Sequence, residues 1–336
     1  MQPSVDLLRG AVVESRHRVS VAVADAGGRL VAHAGDPHLV TFWRSAAKFF
    51  QAIPLVTDGG AAALGVTDEE LALACASHNG EARHVAIATS TLAKAGCRAD
   101  DLACGPHPSL AEPVARAMSA RGEAPTRLHN NCSGKHAAML AQARHHGWPT
   151  AGYHEPEHPV QRRCLDEVAR WTGAAPGDIG LGVDGCGVTC FALPLFGMAL
   201  AYARLGARRL GGPGAEGREA AADRLVCAVT ADPFLIAGTG RLCTEILAAS
   251  GGRVVAKVGA EGVYSAAIPE LALGVAVKVE DGDFKASGTA LLAVLDQLAP
   301  GAAPVSDDWR VPPVRNTRGV VVGRMEAHIP LRMGTP

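Results

Sequence analysis

Apolar and polar residues alternate through residues 18–34, RVSVAVADAGGRLVAHA, on both sides of Ala26-Gly27-Gly28. Period-two alternation around a small, glycine-containing turn predicts a β-hairpin. From residue 45 a helical period takes over. It predicts a helix over about 45–56, one over 68–76 with Thr67 as N-cap, and one over 81–95 closed by Gly96. Residues 112–121, 135–146 and 160–172 also read as helices, and IGLGV at 179–183 as a short buried strand. Helices are predicted over 193–205, 220–230, 241–249 and 287–298, with an exposed loop at 206–218. Strands are predicted over 253–258, 262–267, 273–279 and 320–329. Strands thus sit at both ends of the chain and helices dominate 45–175. This distribution predicts an α+β fold: one antiparallel sheet with helices packed on it and a largely helical portion inserted. The expected organisation is a single catalytic domain over 1–336. Its sheet portion would come from 1–44 and 176–336, its helical portion from 45–175.

Composition narrows the function classes. The 336 residues are 48% hydrophobic and 19% charged, enough to bury a sizeable core. The net charge of −1, without basic stretches interleaved with aromatics, argues against nucleic acid and anionic membranes as partners. No uncharged apolar run reaches the ~18 residues of a membrane span. The first twenty residues lack a secretory pattern, so a soluble cytoplasmic protein is expected. Nine cysteines without such a signal suggest thiols or metal ligands, not a disulfide framework.

Three short polar motifs follow one another: Ser45-x-x-Lys48, Ser77-x-Asn79 and Lys257-x-Gly259. Residues three apart share a helix face, so Ser45 and Lys48 would project together. A serine hydroxyl attacks a carbonyl only when a neighbour takes its proton, and a lysine amine suits that task. Ser77 would relay the proton to a leaving amine. Lys257 would polarise the relay or bind a substrate carboxylate, and Gly259 would let substrate approach the strand. The order S-x-x-K, S-x-N, K-x-G is the logic of active-site serine acyl-transferases. The backbone N–H of Ser45, near a helix start, is a natural oxyanion donor. Each motif alone also has a structural reading: a capped helix start, a helix C-cap at Ser77-His78-Asn79, and an edge-strand lysine.

A second cluster has no place in that scheme. His129-Asn130-Asn131-Cys132-Ser133-Gly134-Lys135-His136 is a polar entry to an apolar helix, and Asp184-Gly185-Cys186-Gly187 is a tight turn with a thiol. One cysteine from each could meet at a zinc ion. Equally, Cys132 could cap a helix and Cys186 be a small buried hydrophobe. In His154-Glu155-Pro156-Glu157-His158-Pro159 the prolines argue against a helix that would bring the two histidines together. Cys75, Cys97, Cys104, Cys164, Cys190 and Cys227 read as structural. Cys243, after Gly238-Thr239-Gly240-Arg241, is a thiol candidate beside a substrate pocket.

Arg44-Ser45-Ala46-Ala47-Lys48, Cys75-Ala76-Ser77-His78-Asn79-Gly80-Glu81, the 129–136 stretch and Val183-Asp184-Gly185-Cys186-Gly187-Val188 together resemble the rhizobial-type L-asparaginase II family, over roughly residues 10–330. The resemblance implies a serine β-lactamase/glutaminase-like fold and hydrolysis of L-asparagine to L-aspartate and ammonia. It implies two Ser–Lys tandems, Ser45 with Lys48 and Ser77 with Lys257. It also implies a Zn2+ site from Cys132, Lys135 and Cys186 with Asp184 beside it, and a homodimer. Arg44, His78, Asn79, Asp184 and Cys243 are the expected substrate-binding residues. Lys278 is the alternative to Lys257 if the strand register differs. Phe49 and Thr189 stand where the family pattern leads one to expect proline, which touches backbone stiffness and not the reacting groups. Two alternatives stay open: a glutaminase or other serine amidase on the same fold, and a non-catalytic zinc- or amino-acid-binding protein.

Overall fold

The computed structural model describes residues 2–334. Strands run in chain order as β1 (Ser4–Arg9), β2 (Val12–Asp25), β3 (Leu30–Ala34), β4 (Val40–Phe42), β5 (Gly180–Val183), β6 (Thr189–Pro194), β7 (Val255–Val258), β8 (Val263–Ile268), β9 (Leu273–Val279), β10 (Pro313–Arg315), β11 (Val321–His328) and β12 (Arg332–Met333). The chain divides into two compact units. The sheet unit takes the residues up to Ala46, Leu193–Ala207 and everything from Glu245 onward; the helical unit takes Ala47–Ala192 and Arg208–Thr244. The helical unit therefore runs past residue 175 and includes 208–244.

The sheet unit is built on an antiparallel sheet of order β10-β11-β1-β2-β9-β8-β7, with β3 on β2 and β12 on β3. The predicted hairpin is β2–β3. β2 is long and does two jobs. Its first half, up to Arg18, is largely exposed and pairs with β1; Val19–Ala24 is buried and pairs with β3 and β9. β7, β8 and β9 are buried along nearly their whole length and largely apolar, as strands covered on both sides are, with Lys257, Ser265 and Lys278 as the charged or hydroxyl-bearing exceptions. The helix Leu195–Ala207 lies against β9 and β2, so closely at Gly274 that an added Cβ would collide with the Ala199 carbonyl and the Ala203 N–H. Gly274→Ala is therefore expected to destabilise the protein by about 3 kcal/mol, the upper part of the usual overpacking range. Urea unfolding checks this; an unchanged midpoint would mean that the helix can lift off the strand at no cost.

The helical unit is centred on the helix Lys48–Thr57, buried from Lys48 to Leu55 and packed by the helices Ser133–His145, Pro159–Thr172 and Ala215–Ala231. The helix Asp68–Ala74 begins as predicted. Thr67 Oγ1 accepts from the Glu70 N–H at 3.3 Å, and Glu70 accepts from the Thr67 N–H at 2.8 Å. It ends two residues earlier than predicted. The chain is thus extended by Ser77, whose N–H donates to the Ile236 carbonyl at 3.0 Å, while the Asn79 N–H donates to that of Ala237 at 2.8 Å. Gly134 lies against the Leu73 carbonyl, so the helix that carries Lys135 crosses the one that ends before Ser77.

Other differences have simple reasons. β5 forms as predicted but is exposed, Leu181 at 47% and Val183 at 73%; an apolar run of four residues does not say which side is covered. β6 was not predicted, and the helix predicted over 193–205 takes in its last two residues, because an apolar run such as Cys190-Phe191-Ala192-Leu193 fits either period. β1 was not foreseen: Leu7-Leu8 breaks the alternation, and a register irregularity falls between those two residues. The predicted 206–218 loop shortens, since the helix Ala215–Ala231 starts inside it. Among the described residues no helix is long and apolar enough to cross a membrane.

Candidate active site

In the sheet unit, Ser45 lies half-buried in a turn of 3-10 helix, Arg44–Ala47, that leads into the helix Lys48–Thr57; a continuous α-helix was expected. Trp43 fixes this turn. Its indole N–H donates to Ser265 Oγ on β8 at 3.0 Å, and its carbonyl would be 2.8 Å from a Cβ placed on Gly259. Gly259 was expected to make room for substrate; here it makes room for Trp43. Arg44 has a left-handed backbone, φ +55°, and faces Glu261, φ +57°, with 3.9 Å between guanidinium and carboxylate. Such residues cost on the order of 1–3 kcal/mol each and gather at functional sites. Lys257 on β7 is fully buried, and its Nζ donates to the Val258 carbonyl at 3.0 Å. Its cross-strand partner is Ser265. The turn with Ser45 and the strand with Lys257 are thus tied through one Trp43–Ser265 bond. Lys278, the alternative, donates to the Glu261 carbonyl, and burial holds its amine below the ordinary value.

In the helical unit, the Lys48 side chain is fully buried. Its Nζ reaches the Ala76 carbonyl at 2.5 Å, Ser77 Oγ at 3.0 Å, Cys132 Sγ at 3.2 Å and the Asn131 carbonyl at 3.5 Å. One amine therefore touches both the S-x-N motif and the thiol cluster. The sequence pairs Lys48 with Ser45 and gives no sign of this second role.

The thiols of the two loops lie near one another. Cys132, Lys135 and Cys186 are all buried. Lys135 Nζ is 3.2 Å from Cys186 Sγ and 3.9 Å from Asp184 Oδ2, which lies 3.8 Å from Cys186 Sγ. Cys132 occupies the N-cap position of the helix Ser133–His145, but its thiol caps nothing; it donates to Asn131 Oδ1 at 3.0 Å, and its N–H donates to Asn130 Oδ1 at 2.9 Å. The asparagines of the polar stretch thus position the thiol. The Cys132 S–H beside Cys186, and then the Lys135 charge, lower the Cys186 thiol to about 5. Burial opposes a charge on Lys135, but Cys186, Cys132 and Asp184 together hold the amine above its ordinary value. This donor set fits zinc. Tetrahedral bonds of about 2.3 Å to sulfur and 2.0–2.1 Å to nitrogen place such ligands about 3.6 Å apart, close to the 3.2 Å found between Lys135 and Cys186. Among the described residues no three His, Cys, Asp or Glu side chains gather as a metal site. A metal here needs the Lys135 amine. All nine cysteines are free thiols.

The remaining expected residues fall into two settings. His78 is fully buried, and burial, then His84, Lys48 and Arg241, push its imidazole well below the usual range. Its Nδ1 accepts from the Gly80 N–H at 3.1 Å and its Nε2 meets Ser133 Oγ at 3.1 Å, so both nitrogens are engaged within the protein. The ring stacks on His84, centroids 4.9 Å apart, and His84 stacks on Phe234 at 4.5 Å. Asn79 is also buried, in a network that was not foreseen. Its Nδ2 donates to Glu81 Oε1 at 3.1 Å and to the Thr239 carbonyl at 3.0 Å, and its Oδ1 accepts from Arg241 Nη1 at 2.8 Å. Glu81 in turn accepts from the Thr239 N–H at 2.8 Å and its hydroxyl at 3.0 Å. Burial would raise the Glu81 carboxyl; these donors more than offset it and hold it lowered. Cys243 is buried at the start of the helix Leu242–Ser250. Glu81 and Arg241 lie inside motifs already quoted; what the sequence does not reveal is that the two loops meet.

Among solved structures, the chain is similar to a crystal structure of Mglu, at 17% identity and a TM-score of 0.45 over 86% of this chain and 69% of that one. It is also similar to a mutant of simvastatin synthase, LovD, from Aspergillus terreus, at 12% identity and a TM-score of 0.41 over 85% and 90%. No curated protein matches. The family described as L-asparaginase II matches over residues 5–327. With nearly its whole length accounted for in this way, the chain belongs to the L-asparaginase II family and is an amidohydrolase of the asparaginase type.

Proposed function

We propose that the protein hydrolyses L-asparagine to L-aspartate and ammonia through an acyl-enzyme on Ser45. The observation that carries this reading is Lys48, a buried amine 3.0 Å from Ser77 Oγ, three residues beyond Ser45. Acting as base, Lys48 gives its two N–H hydrogens to the Ala76 and Asn131 carbonyls and turns its lone pair to a hydroxyl. Ser45 Oγ attacks the side-chain amide carbon as its proton passes to Lys48 Nζ, from which Ser77 carries it on to the amide nitrogen. The C–N bond then breaks, and the nitrogen leaves as ammonia after taking a proton through Ser77. Water cleaves the resulting ester, returning the proton to Ser45 and releasing aspartate. Lys257 polarises the relay. The assay is ammonia release from asparagine, glutamine and a β-lactam by purified protein. Preference for asparagine supports the proposal; preference for glutamine would make the protein a glutaminase on the same site. Family membership also favours a homodimer, which sedimentation velocity tests.

Cys132, Lys135 and Cys186 would hold one Zn2+, with Asp184 beside them and the fourth position open. Such an ion supplies a positive anchor for a substrate group; the Ser–Lys pairs already provide nucleophile and base. A lysine ligand must be deprotonated, so metal affinity falls as pH drops. Elemental analysis should find one zinc per chain, lost in Cys186→Ser with KM raised about ten-fold or more and kcat changed less. Cys132→Ser should lower kcat further, because Cys132 also touches Lys48. A metal-free protein with full substrate affinity would end this assignment.

A further inference from the structure

The stretch Gly238–Arg241 is fastened to the segment Ser77–Glu81 by several bonds. Ser77 and Asn79 donate backbone bonds to the carbonyls of Ile236 and Ala237, the last residues of the short helix Phe234–Ala237, which runs directly into the loop. Beyond it, the Asn79 amide and the Glu81 carboxylate clamp Thr239 through its carbonyl, N–H and hydroxyl. Gly238 adopts φ +107°, and an added Cβ would lie 2.5 Å from Glu81 Oε1 and 2.8 Å from Asn79 Nδ2. Only glycine lets the loop lie flat on this pair. The outcome is a fixed guanidinium. Arg241 Nη1 donates to Asn79 Oδ1 at 2.8 Å, two residues along from Ser77. Both amide hydrogens and the amide oxygen of Asn79 are committed within the protein. Asn79 is therefore suited to hold Arg241 in place. The charges of Lys48 and Arg241 both help, after burial and His84, to lower the His78 imidazole.

We infer that Arg241, positioned by Asn79 and by the Glu81–Thr239 clamp, recognises the α-carboxylate of the amino-acid amide substrate. Guanidinium presents a planar fork of donors that matches a carboxylate, and a fork held in advance loses little freedom on binding. Asparagine differs from an aliphatic amide by its α-carboxylate and α-ammonium, so a site selective for it needs such a cation close to the relay serine. The inference rests on the asparagine reading above.

The test uses the full chain and two substrates, asparagine and 3-aminopropanamide, which is asparagine without its α-carboxylate. Calorimetric titration with L-aspartate runs alongside. Arg241→Met should raise KM for asparagine and Kd for aspartate about 10- to 100-fold, the usual loss for a charge-assisted hydrogen-bonded pair. It should leave kcat within a few-fold and kcat/KM on 3-aminopropanamide unchanged. Arg241→Lys should fall between, keeping the charge without the fork. Thr239→Val should shift the same ratio in the same direction by less. Circular dichroism establishes folding; if Arg241→Met does not fold, Arg241→Lys and Thr239→Val carry the test. An unchanged ratio between the two substrates overturns the role of Arg241 and leaves the asparaginase reading standing. Absence of ammonia release from asparagine by the wild type overturns that reading instead. Aspartate binding then decides Arg241: weaker binding in Arg241→Met upholds it, and equal or no binding overturns it.

Discussion

Ser45→Ala should lower kcat for ammonia release at least about 10³-fold, a loss of roughly 4 kcal/mol of transition-state stabilisation. Without the hydroxyl no acyl-enzyme forms, and only binding and positioning remain. The fold should be untouched. Ser45 is half-buried in a single 3-10 turn held by Trp43, and alanine suits that turn as well as serine. Rapid quenching with mass spectrometry reads the step directly: wild type should carry an aspartyl adduct on the peptide with Ser45. A variant keeping more than about a tenth of the wild-type rate would remove Ser45 as nucleophile. Ser77→Ala is the control, because an adduct abolished there and retained in Ser45→Ala would exchange the two serines' roles.

A loss of comparable size is expected for Lys48→Met. Methionine is close to lysine in shape and belongs in an apolar interior, so packing around the helix Lys48–Thr57 should survive. The amine also leaves the Ala76 and Asn131 carbonyls, at a cost of about 1–3 kcal/mol for each buried acceptor left unsatisfied, offset by no longer burying an ionisable group. Lys48→Arg separates two roles. Guanidinium keeps a positive charge but does not surrender its proton at any working pH. Activity in Lys48→Arg would mean that the charge alone is needed and would end the role of Lys48 as base. The double variant Ser45→Ala/Lys48→Met should be scarcely slower than either single one, since parts of one catalytic unit do not add. A further 10³-fold drop would place the two residues in independent steps.

The residues proposed for the site stand out in the sequence because chemistry needs particular side chains at short spacings. Ser45 and Lys48 stand three apart; Cys132 and Lys135 stand three apart on the first turn of a helix; Ser77 and Asn79 close an apolar helix with polar residues. The β2–β3 hairpin and the Thr67–Glu70 cap were equally plain, because both depend on neighbours within a few residues. Local rules decide such features before any long-range contact exists. The antiparallel sheet with an inserted helical portion followed from the distribution of the two periods along the chain.

Tertiary structure decided whatever depends on two distant segments meeting. Nothing around Gly259 reveals that the Trp43 carbonyl will occupy the space above it, or that Ser265 will hold the Trp43 indole. Nothing around Lys48 reveals that its amine will bridge Ser77 and Cys132, residues 29 and 84 positions away. Nothing around Asn79 reveals that Glu81, Thr239 and Arg241 will engage its amide. The physical reason is common to all three. A buried polar group must find partners, and its sequence fixes how many it needs but not which segment brings them. Pairing of β7 with β8 makes that choice for Trp43; packing of the helices around Lys48–Thr57, and the bonds of residues 77–79 to 236–237, make it for Lys48 and Asn79.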